Sequence, residues 1–336
     1  MQAVVLENKE NFIIKEVQNP EINDDRALVK VMVCGICGTD LHAYRGDFMP
    51  TFPLILGHEF TGVIKNKGKN ITEFNIGDRV VVSPEIYCHY CDNCRSGNEK
   101  YCSNWKSIGT NINGAFSEYI SVRKDCLYML PDSITFEVGS LVEPATCVYS
   151  AIRLIPDYFG KRVVILGAGS IGLIFLNILK AKNALEIDLI DISDFRLGVA
   201  KSMGANNIYN INTDGENYFG KIKKKYDIVI DCTGVAEVIK NGFSLLAPDA
   251  YFIFFGVSPT KSSIKISPYK VYEQSLKIIG VYPNMKSFKM VIDMMEKGIL
   301  NFEKIVTHKF KLKDFMKAFN TVIDSNLERI KVVIIP

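Results

Sequence analysis

The stretch Val163-Val164-Ile165-Leu166-Gly167-Ala168-Gly169-Ser170-Ile171-Gly172 decides the fold of half of this chain. Its first four residues predict a buried strand, and the three glycines that follow have the spacing G-x-G-x-x-G at the start of a helix. Backbone N–H groups at such a helix N-terminus bind phosphate. The segment therefore predicts a strand–loop–helix unit for the pyrophosphate of a dinucleotide, with contacts from Gly167, Gly169, Ile171 and Gly172.

Apolar runs and helical stretches alternate on both sides of this loop. The predicted strands are Val163–Leu166, Ile187–Ile190, Asp227–Asp231, Tyr251–Phe255 and Leu276–Ile279. The predicted helices are Ile171–Lys180, Arg196–Met203, Glu237–Leu246 and Phe288–Lys297. This alternation predicts an α/β fold with a doubly wound parallel sheet of the Rossmann type.

Asp191 ends the second predicted strand, about twenty residues after the glycine loop. A carboxylate there accepts hydrogen bonds from the adenosine ribose hydroxyls and repels a 2′-phosphate, so the sequence favours NAD over NADP. The alternative for Asp191 is a simple turn residue. Arg196 would tolerate a phosphate, so NADP stays open.

The first 142 residues are rich in short strands, such as Ala27–Val33 and Asp78–Val82, separated by Gly, Pro and Asn. The last 50 or so residues are mixed and end in a strand-like run, Ile330–Ile335. With 336 residues, two domains are expected.

Four of the nine cysteines, Cys88, Cys91, Cys94 and Cys102, have the spacing C-x2-C-x2-C-x7-C. Four such thiolates can surround one tetrahedral zinc with no open position, which is typical of a structural site. An iron–sulfur cluster is the second interpretation, although the usual Cys-Pro ending is missing. A disulfide pairing is the third, and the absence of a signal-peptide pattern argues against it.

Three dispersed motifs carry a second set of metal-binding residue types. They are Cys34-Gly35-Ile36-Cys37-Gly38-Thr39-Asp40-Leu41-His42, Gly57-His58-Glu59-Phe60-Thr61-Gly62 and Leu141-Val142-Glu143-Pro144. A lone histidine is usually a surface or core residue, but two of only four histidines fall in these motifs.

These motifs, in this order, resemble the zinc-dependent medium-chain alcohol dehydrogenases. The pattern G-H-E-x2-G-x5-G-x2-I runs from Gly57 to Ile71, beside the four-cysteine loop and the nucleotide fold. The resemblance implies an irregular, GroES-like catalytic zinc-binding domain formed by residues 1–144 and 284–336. It implies an NAD-binding Rossmann domain formed by residues 145–283.

The resemblance also implies the site residues. Cys37 and His58 would bind a catalytic zinc, so that two Zn²⁺ ions are expected per chain. Glu143 stands where simple alcohol dehydrogenases have a second cysteine, as in polyol dehydrogenases, and binds zinc directly or through water. Glu59 is a further candidate ligand, Asp40 a partner for His58, and Cys34 a less favoured ligand. Lys331 aligns with a cofactor-facing basic position, and Arg196 with the basic residue beside the ribose.

The implied mechanism moves a proton from the zinc-bound substrate hydroxyl to Thr39, and on through the cofactor ribose to His42. Hydride then passes to the nicotinamide. The alternatives are that Thr39 is only a turn hydroxyl and His42 only a surface residue.

The carboxylate at position 143 favours a polyol or a sugar-alcohol phosphate as substrate. The segment Gly280-Val281-Tyr282-Pro283-Asn284-Met285 lacks the arginine that some polyol dehydrogenases place there, which argues against sorbitol. Tyr44, Glu143 and Asn284 are the predicted substrate contacts, and Lys286 or Arg45 would serve a phosphate. L-threonine 3-dehydrogenase activity, a metal-free quinone reductase and a non-enzymatic zinc- and nucleotide-binding relative are the alternatives.

Composition excludes other partners. The net charge is only +3, and no basic run carries interleaved aromatics, so no nucleic acid is expected. The apolar run Val163–Leu179 is short for a membrane span and contains the glycine loop, so no membrane is expected. The N-terminal residues Met1–Glu7 show no basic segment followed by a long apolar run, so no signal peptide and a cytoplasmic protein are expected. The family resemblance implies a homodimer or homotetramer, with Tyr251–Phe255 and Lys277–Gly280 as possible edge strands between subunits.

Overall fold

The computed structural model describes residues 1–47, 51–212, 218–324 and 326–336. The strands are β1 Gln2–Asn8, β2 Asn11–Glu16, β3 Arg26–Gly35, β4 Leu54–Ile55, β5 Glu59–Lys67, β6 Arg79–Val82, β7 Glu85–Ile86, β8 Lys106–Ser107, β9 Tyr119–Arg123, β10 Leu127–Met129, β11 Arg162–Leu166, β12 Glu186–Asp191, β13 Ile208–Asn210, β14 Tyr226–Asp231, β15 Leu246–Phe254, β16 Lys277–Gly280, β17 Val306–Lys311 and β18 Lys331–Ile335. The α-helices are α1 Gly38–Arg45, α2 Asp92–Arg95, α3 Phe136–Gly139, α4 Val142–Ile152, α5 Ser170–Ala181, α6 Asp194–Ser202, α7 Tyr218–Lys221, α8 Ala236–Gly242, α9 Pro268–Glu273, α10 Phe288–Glu296 and α11 Phe315–Ile323.

The chain divides into two compact units. Unit 1 comprises Met1–Thr146, Asn284–Gly298 and Val306–Pro336, and unit 2 comprises Cys147–Pro283 and Ile299–Ile305.

Unit 2 is built on a six-stranded sheet with the order β13-β12-β11-β14-β15-β16. Every pair in it is parallel, so Val163 of β11 lies opposite Ile187 on one side and Ile228 on the other. The residues Val163–Leu166 are fully buried, as expected for a strand covered by helices on both faces. The expected doubly wound parallel sheet is confirmed.

The unit 2 elements differ from the sequence prediction in detail. β13 was not predicted, because three residues are too short for a periodic signal. α8 ends at Gly242, earlier than predicted, because the chain tightens into a 3₁₀ turn over Phe243–Leu245. β15 is paired on both sides, so only β16 of the two suggested strands lies at the sheet edge.

The long apolar run is also explained by this unit. Its residues form the buried strand β11, the glycine loop and helix α5, whose side chains from Leu173 to Leu176 are fully buried. Within the described ranges, no helix has both the length and the apolar character needed to cross a lipid bilayer.

Unit 1 contains a sheet with the order β10-β6-β5-β3-β18-β17, to which β9 adds by pairing with β3. A separate three-stranded sheet has the order β2-β1-β4. The C-terminal strand β18 runs antiparallel to β3, with Val333 opposite Gly35 and Ile334 opposite Cys34. This pairing brings the end of the chain beside the loop that carries Cys37.

Aromatic rings form part of the unit 1 core. The Tyr44 ring stacks on Phe12 with 5.2 Å between ring centroids and meets Phe319 edge-on at 4.9 Å. Phe315 packs against both Phe12 and Phe116. Tyr44 is therefore a core-packing residue of helix α1, and its role as a substrate contact stays a prediction.

Candidate active site

Helix α1 positions the first group of site residues. β3 ends at Gly35, and Cys37 is the N-cap of α1. The Cys37 N–H donates to Asp40 Oδ2 at 2.8 Å, and the Asp40 N–H donates to the Cys37 carbonyl at 3.1 Å. These reciprocal bonds fix the first helical turn. They hold the Thr39 hydroxyl 3.6 Å from the Cys37 sulfur.

A glycine turn positions the second group. Gly57 has φ +96°, and a Cβ there would lie 2.8 Å from the Cys34 sulfur and 2.9 Å from the Phe116 ring. Only glycine fits such a position. The turn delivers His58 and Glu59 at the start of β5, where Glu59 is paired with Gly35 of β3.

The two groups meet in unit 1. One ligand atom each from Cys37, His58 and Glu59 lies within 4.8 Å of the others. His58 is 6% exposed and Glu59 is 1% exposed. One thiol, one imidazole and one carboxylate at such separations have the composition of a catalytic zinc site.

The electrostatics of this cluster favour a cation. Burial lowers the pKa of His58, but the charges of Cys37, Asp40 and Glu143 outweigh it and raise that pKa. Burial raises the pKa of Asp40 to about 6, although His58 opposes this. His58 Nδ1 and Asp40 Oδ1 lie 3.7 Å apart, and both are buried atoms without a hydrogen-bond partner. A divalent ion would relieve this excess of negative charge, so the residues fit a zinc ion.

Lys331 enters the cluster from β18. Its ammonium group is ion-paired with the Glu59 carboxylate, and its side chain is 4% exposed. Burial lowers the pKa of Lys331, but Glu59 and Cys37 outweigh it and raise that pKa. Lys331 therefore neutralises one of the buried carboxylates of the site. Its predicted contact with the cofactor stays a prediction.

Glu143 lies in the first turn of α4 and is 8% exposed. It is not part of the set of ligand atoms within 4.8 Å of one another, but its charge acts on His58. The structure thus brings the carboxylates of Asp40, Glu59 and Glu143 to the cluster, and Glu59 is ion-paired with Lys331.

The four-cysteine loop forms a second cluster. The sulfur atoms of Cys88, Cys91, Cys94 and Cys102 lie within 4.8 Å of one another. The backbone N–H of Cys94 lowers the pKa of Cys91 to about 5, whereas burial and the neighbouring sulfurs raise the pKa of Cys94 to about 12. Thiolates this close repel one another, so all four can be deprotonated together only when a cation neutralises them. This donor set therefore fits a structural zinc.

Lys286 fastens this loop. Its Nζ donates to the Gly97 carbonyl at 2.6 Å and lies 2.8 Å from Glu99 Oε2. The nearby ammonium helps to lower the pKa of Glu99 against the opposing effect of burial. The side chain of Lys286, which the sequence suggested for a substrate phosphate, is therefore bound to the four-cysteine loop.

The glycine loop of unit 2 has the shape of a phosphate cradle. Gly167 has φ +104°, and a Cβ on Gly172 would lie 1.9 Å from the Gly167 carbonyl oxygen. A Cβ on Gly169 would meet nothing within 4 Å. The loop thus packs tightly against itself at Gly172 and leaves free space at Gly169, the N-cap residue of α5. This geometry fits a dinucleotide pyrophosphate.

Asp191 ties this loop to the end of β12. Its Oδ2 accepts the Ala168 N–H at 2.6 Å, and its Oδ1 accepts the N–H groups of Ile192 and Ser193 at 2.8 and 3.0 Å. Arg196 Nη1 lies 3.7 Å from Oδ1. The carboxylate is thus held at the carboxyl edge of the sheet. This position is compatible with the predicted ribose contact, which stays a prediction.

Comparison with known proteins identifies the family. Residues 23–132 match the alcohol dehydrogenase GroES-like domain, and residues 170–297 match the zinc-binding dehydrogenase domain. The chain is 31% identical to a D-arabitol-phosphate dehydrogenase of Enterococcus avium over 94% of its own length and 91% of that protein. The chain belongs to the zinc-dependent medium-chain alcohol dehydrogenase family.

Other relatives of this dehydrogenase have related names. It is 29% identical to a sorbitol dehydrogenase of Bacillus subtilis, with 100% of the chain and 97% of the relative covered. It is 30% identical to an L-threonine 3-dehydrogenase of Protochlamydia amoebophila, with 90% of each covered. This protein is therefore an oxidoreductase.

Solved structures agree with this assignment. A zinc-binding dehydrogenase of Sinorhizobium meliloti bound to NADP superimposes with a TM-score of 0.93 at 28% identity, covering 100% of this chain and 99% of that one. A short chain alcohol dehydrogenase of Escherichia coli CFT073 complexed with NADH gives a TM-score of 0.91 at 28% identity, with the same coverage. The expected GroES-like and Rossmann architecture is confirmed.

The remaining predicted residues of the dehydrogenase lie in unit 1. His42 Nδ1 is 3.0 Å from Asp47 Oδ2. Asn284 Oδ1 accepts the Lys286 N–H at 3.1 Å. Sequence reasoning missed Asp47 and the pairing of Lys331 with Glu59. The spacing of Asp47, five residues after His42, was available as a signal, whereas nothing local connects Lys331 with Glu59.

Proposed function

We propose that this dehydrogenase oxidises a secondary hydroxyl of an unphosphorylated polyol with NAD as hydride acceptor. The observation that carries the proposal is the cluster of Cys37, His58 and Glu59, with the Glu143 carboxylate acting on it. A donor set with one thiolate and carboxylates leaves a bound zinc more electron-poor than a set with two thiolates. The relatives named as a sorbitol dehydrogenase and a D-arabitol-phosphate dehydrogenase both support polyol oxidation, and the first supports a substrate without a phosphate.

Two Zn²⁺ ions per chain are proposed, one in each cluster. Cys88, Cys91, Cys94 and Cys102 would hold the structural ion. Cys37, His58 and Glu143 would hold the catalytic ion, with Glu59 as a carboxylate beneath it whose charge Lys331 balances. Zinc content separates the two carboxylates: Glu143→Gln is expected to weaken retention of the catalytic ion by about 10-fold or more, and Glu59→Gln by less. The reverse order would exchange their roles.

The residues of the chain then have defined tasks. Zinc, when bound, supplies a Lewis acid that lowers the pKa of a hydroxyl in contact with it. Asp40 faces His58 Nδ1, which leaves Nε2 for the metal. The Thr39 hydroxyl, near the Cys37 sulfur, would accept the substrate proton as it passes its own proton on toward His42. His42, held by Asp47, releases the proton to solvent.

The cofactor assignment rests on unit 2. Gly167, Gly169, Ile171 and Gly172 would bind the pyrophosphate, and Asp191 the adenosine ribose. NAD is proposed because the Asp191 carboxylate disfavours a 2′-phosphate. One relative structure holds NADP and another NADH, so the cofactor preference is a property to measure in this protein.

The choice of an unphosphorylated substrate rests on Lys286. Its ammonium group is committed to Gly97 and Glu99 of the zinc loop. The segment from Gly280 to Met285 carries no basic side chain. Of the two cations that the sequence suggested for a phosphate, only Arg45 is left, which favours a substrate without one.

An initial-rate screen with NAD over C4–C6 polyols, their phosphates and L-threonine tests the proposal. The highest kcat/KM is expected for a free polyol, with loss of activity in a zinc-stripped enzyme. A preference for a polyol phosphate would refute the unphosphorylated assignment. Turnover of L-threonine alone would move the function to the second candidate, which the threonine dehydrogenase relative supports. No activity on any of these would favour a non-enzymatic role.

A cytoplasmic homo-oligomer is part of the proposal. None of the nine cysteines, all of which the structure describes, is in a disulfide, as in a reducing compartment. β16 forms one of the two edges of the six-stranded sheet, and its residue Ile278 is 38% exposed. The open side of such an edge strand is suited to pairing with another copy. Light scattering of the purified protein is expected to give the mass of a dimer or tetramer, and a monomer would refute this part.

A further inference from the structure

A cavity of about 620 Å³ opens in unit 1, and none of its lining residues belongs to either metal cluster. It is formed by the first two strands, β4, the β7–β8 ladder and the segment that leads into β9. We propose that this cavity, called here the basic cavity, binds a small organic acid with an apolar body.

The floor of the basic cavity is apolar. Val5, Leu54, Ile55, Ile108 and Ile120 line it, and each is 6% exposed or less. A concave apolar surface of this size is typical of small-molecule sites, because water is held poorly there. The floor therefore suits a hydrocarbon or aromatic group.

The wall of the basic cavity is cationic. Lys15, Arg26, Lys106 and Arg123 line it, and no aspartate or glutamate is among the lining residues. Glu7 pairs with Lys15, and Asp125 pairs with Arg123. Among the described residues, Arg26 and Lys106 have no carboxylate within 4 Å. Within the described part of the chain, two positive charges thus face the cavity without an ion-pair partner, although Asp25 and Asp125 line a neighbouring cleft beside Arg26.

Arg26 is held in place for binding. Its Nη1 donates to the Ser121 carbonyl at 3.0 Å and lies 3.4 Å from the Ser121 hydroxyl. A guanidinium has five N–H donors in a planar fork, so most of its donors are left for a ligand. A fixed guanidinium beside an apolar floor is complementary to a carboxylate or sulfonate attached to a hydrocarbon.

The size of the cavity limits the ligand. A volume of about 620 Å³ is within the range of small-molecule pockets and is too small for a folded partner. Neutral polyols are excluded by the apolar floor, and inorganic anions would leave that floor in contact with water. A small organic acid satisfies both surfaces.

Isothermal titration with naphthalene-2-sulfonate tests the proposal. The sulfonate is charged at every working pH. The zinc-loaded enzyme is saturated with NADH so that the cofactor site is filled. One binding site per chain is expected, with affinity that falls as salt rises. The neutral isostere 2-(methylsulfonyl)naphthalene is expected to bind about 10-fold or more weakly.

Variants locate the site. Lys106→Met removes an exposed charge that makes no ion pair among the described residues, and Arg26→Gln/Lys106→Met removes the Arg26 charge as well. The double variant is expected to bind naphthalene-2-sulfonate about 10-fold or more weakly, and Lys106→Met about 3-fold. Lys65→Met, an equally exposed lysine of β5 outside the cavity, is the matched control and should change affinity by less than about 2-fold.

The outcomes separate clearly. Absence of binding, equal binding of the neutral isostere, or equal affinity in the double variant and the control would each overturn the proposal. If the double variant fails to fold, the proposal is tested by Lys106→Met alone, which must weaken binding about 3-fold relative to the control. Titrations with octanoate and 2-naphthoate then distinguish an aliphatic from an aromatic acid. None of these variants touches the residues proposed for zinc or NAD, so polyol oxidation serves as an independent check of folding.

Discussion

Replacing Lys331 with methionine isolates the ion pair beneath the candidate zinc site. Met has a similar length and no charge, so Lys331→Met removes the ammonium and keeps most of the packing. In protein from which the catalytic zinc has been removed, the Glu59 carboxylate is then left 1% exposed without its lysine partner. The free energy of unfolding is expected to fall, because the unpaired charge is buried and destabilising only in the folded state.

The magnitude follows from burial. Lys331 and Glu59 are 4% and 1% exposed in their side chains, so solvent screens neither group. Breaking such a buried pair by removing one partner costs about 3–5 kcal/mol. In a protein of this size we expect the melting temperature to fall on the order of 10 °C. Removing both charges with Glu59→Gln/Lys331→Met should cost less than the sum of the single changes, with a coupling of about 2 kcal/mol or more.

The surface pair of Lys15 and Glu7 is the matched control. It joins the same two residue types in the same unit, but its side chains are 42% and 26% exposed. Exposed pairs of this kind contribute about 0–1 kcal/mol. Lys15→Met should therefore leave the melting temperature nearly unchanged.

Thermal and urea unfolding of proteins that hold the structural zinc but not the catalytic one, followed by circular dichroism, measure the four free-energy changes of the cycle. A coupling below about 0.5 kcal/mol would refute the reasoning, since it would mean that Lys331 and Glu59 do not stabilise one another. A loss in Lys331→Met equal to that in Lys15→Met would refute it as well. Zinc content is measured in parallel, so that loss of metal is recognised as a separate cause.

Three further predictions concern the proposed roles. His42→Ala is expected to reduce kcat by about 10-fold or more and to alter its pH dependence with zinc content unchanged; an unaltered pH–rate profile would exclude His42 from proton release. Cys94→Ser should reduce metal content from two zinc ions to one per chain by mass spectrometry and lower the melting temperature; retention of both ions would contradict the four-thiolate site. Asp191→Asn, which removes the charge and keeps the shape, should shift the NAD-to-NADP ratio of kcat/KM toward NADP by about 10-fold; an unchanged ratio would leave Asp191 with its loop-bracing role only.

Local motifs of this protein were predictable because their residues are close in sequence. The glycine loop needs only ten consecutive residues, and the predicted strand and helix around it are β11 and α5. The four cysteines lie within fifteen residues, so their spacing alone brings the sulfurs together. The doubly wound sheet followed from alternating apolar runs, since parallel strands buried on both faces are apolar along their whole length.

Pairing between distant segments was not predictable in the same way. The antiparallel register of β18 on β3 brings Lys331 to Glu59, and no local pattern carries that register. The same holds for Lys286, which sequence reasoning considered for a phosphate and which the fold attaches to the zinc loop. Both are long side chains whose partners are chosen by strand and loop packing.

Sequence by itself determined the family, the two clusters of metal-binding residue types and the dinucleotide loop. Each of these features depends on which residue types stand at short distances from one another in the sequence, and this is fixed before the chain folds. Tertiary structure alone decided that Tyr44 packs in the core, that β16 and not β15 is the sheet edge, and that Arg26 and Lys106 line one cavity. Each of these outcomes depends on contacts between residues that are far apart in sequence. Such contacts are fixed only when the whole core packs together.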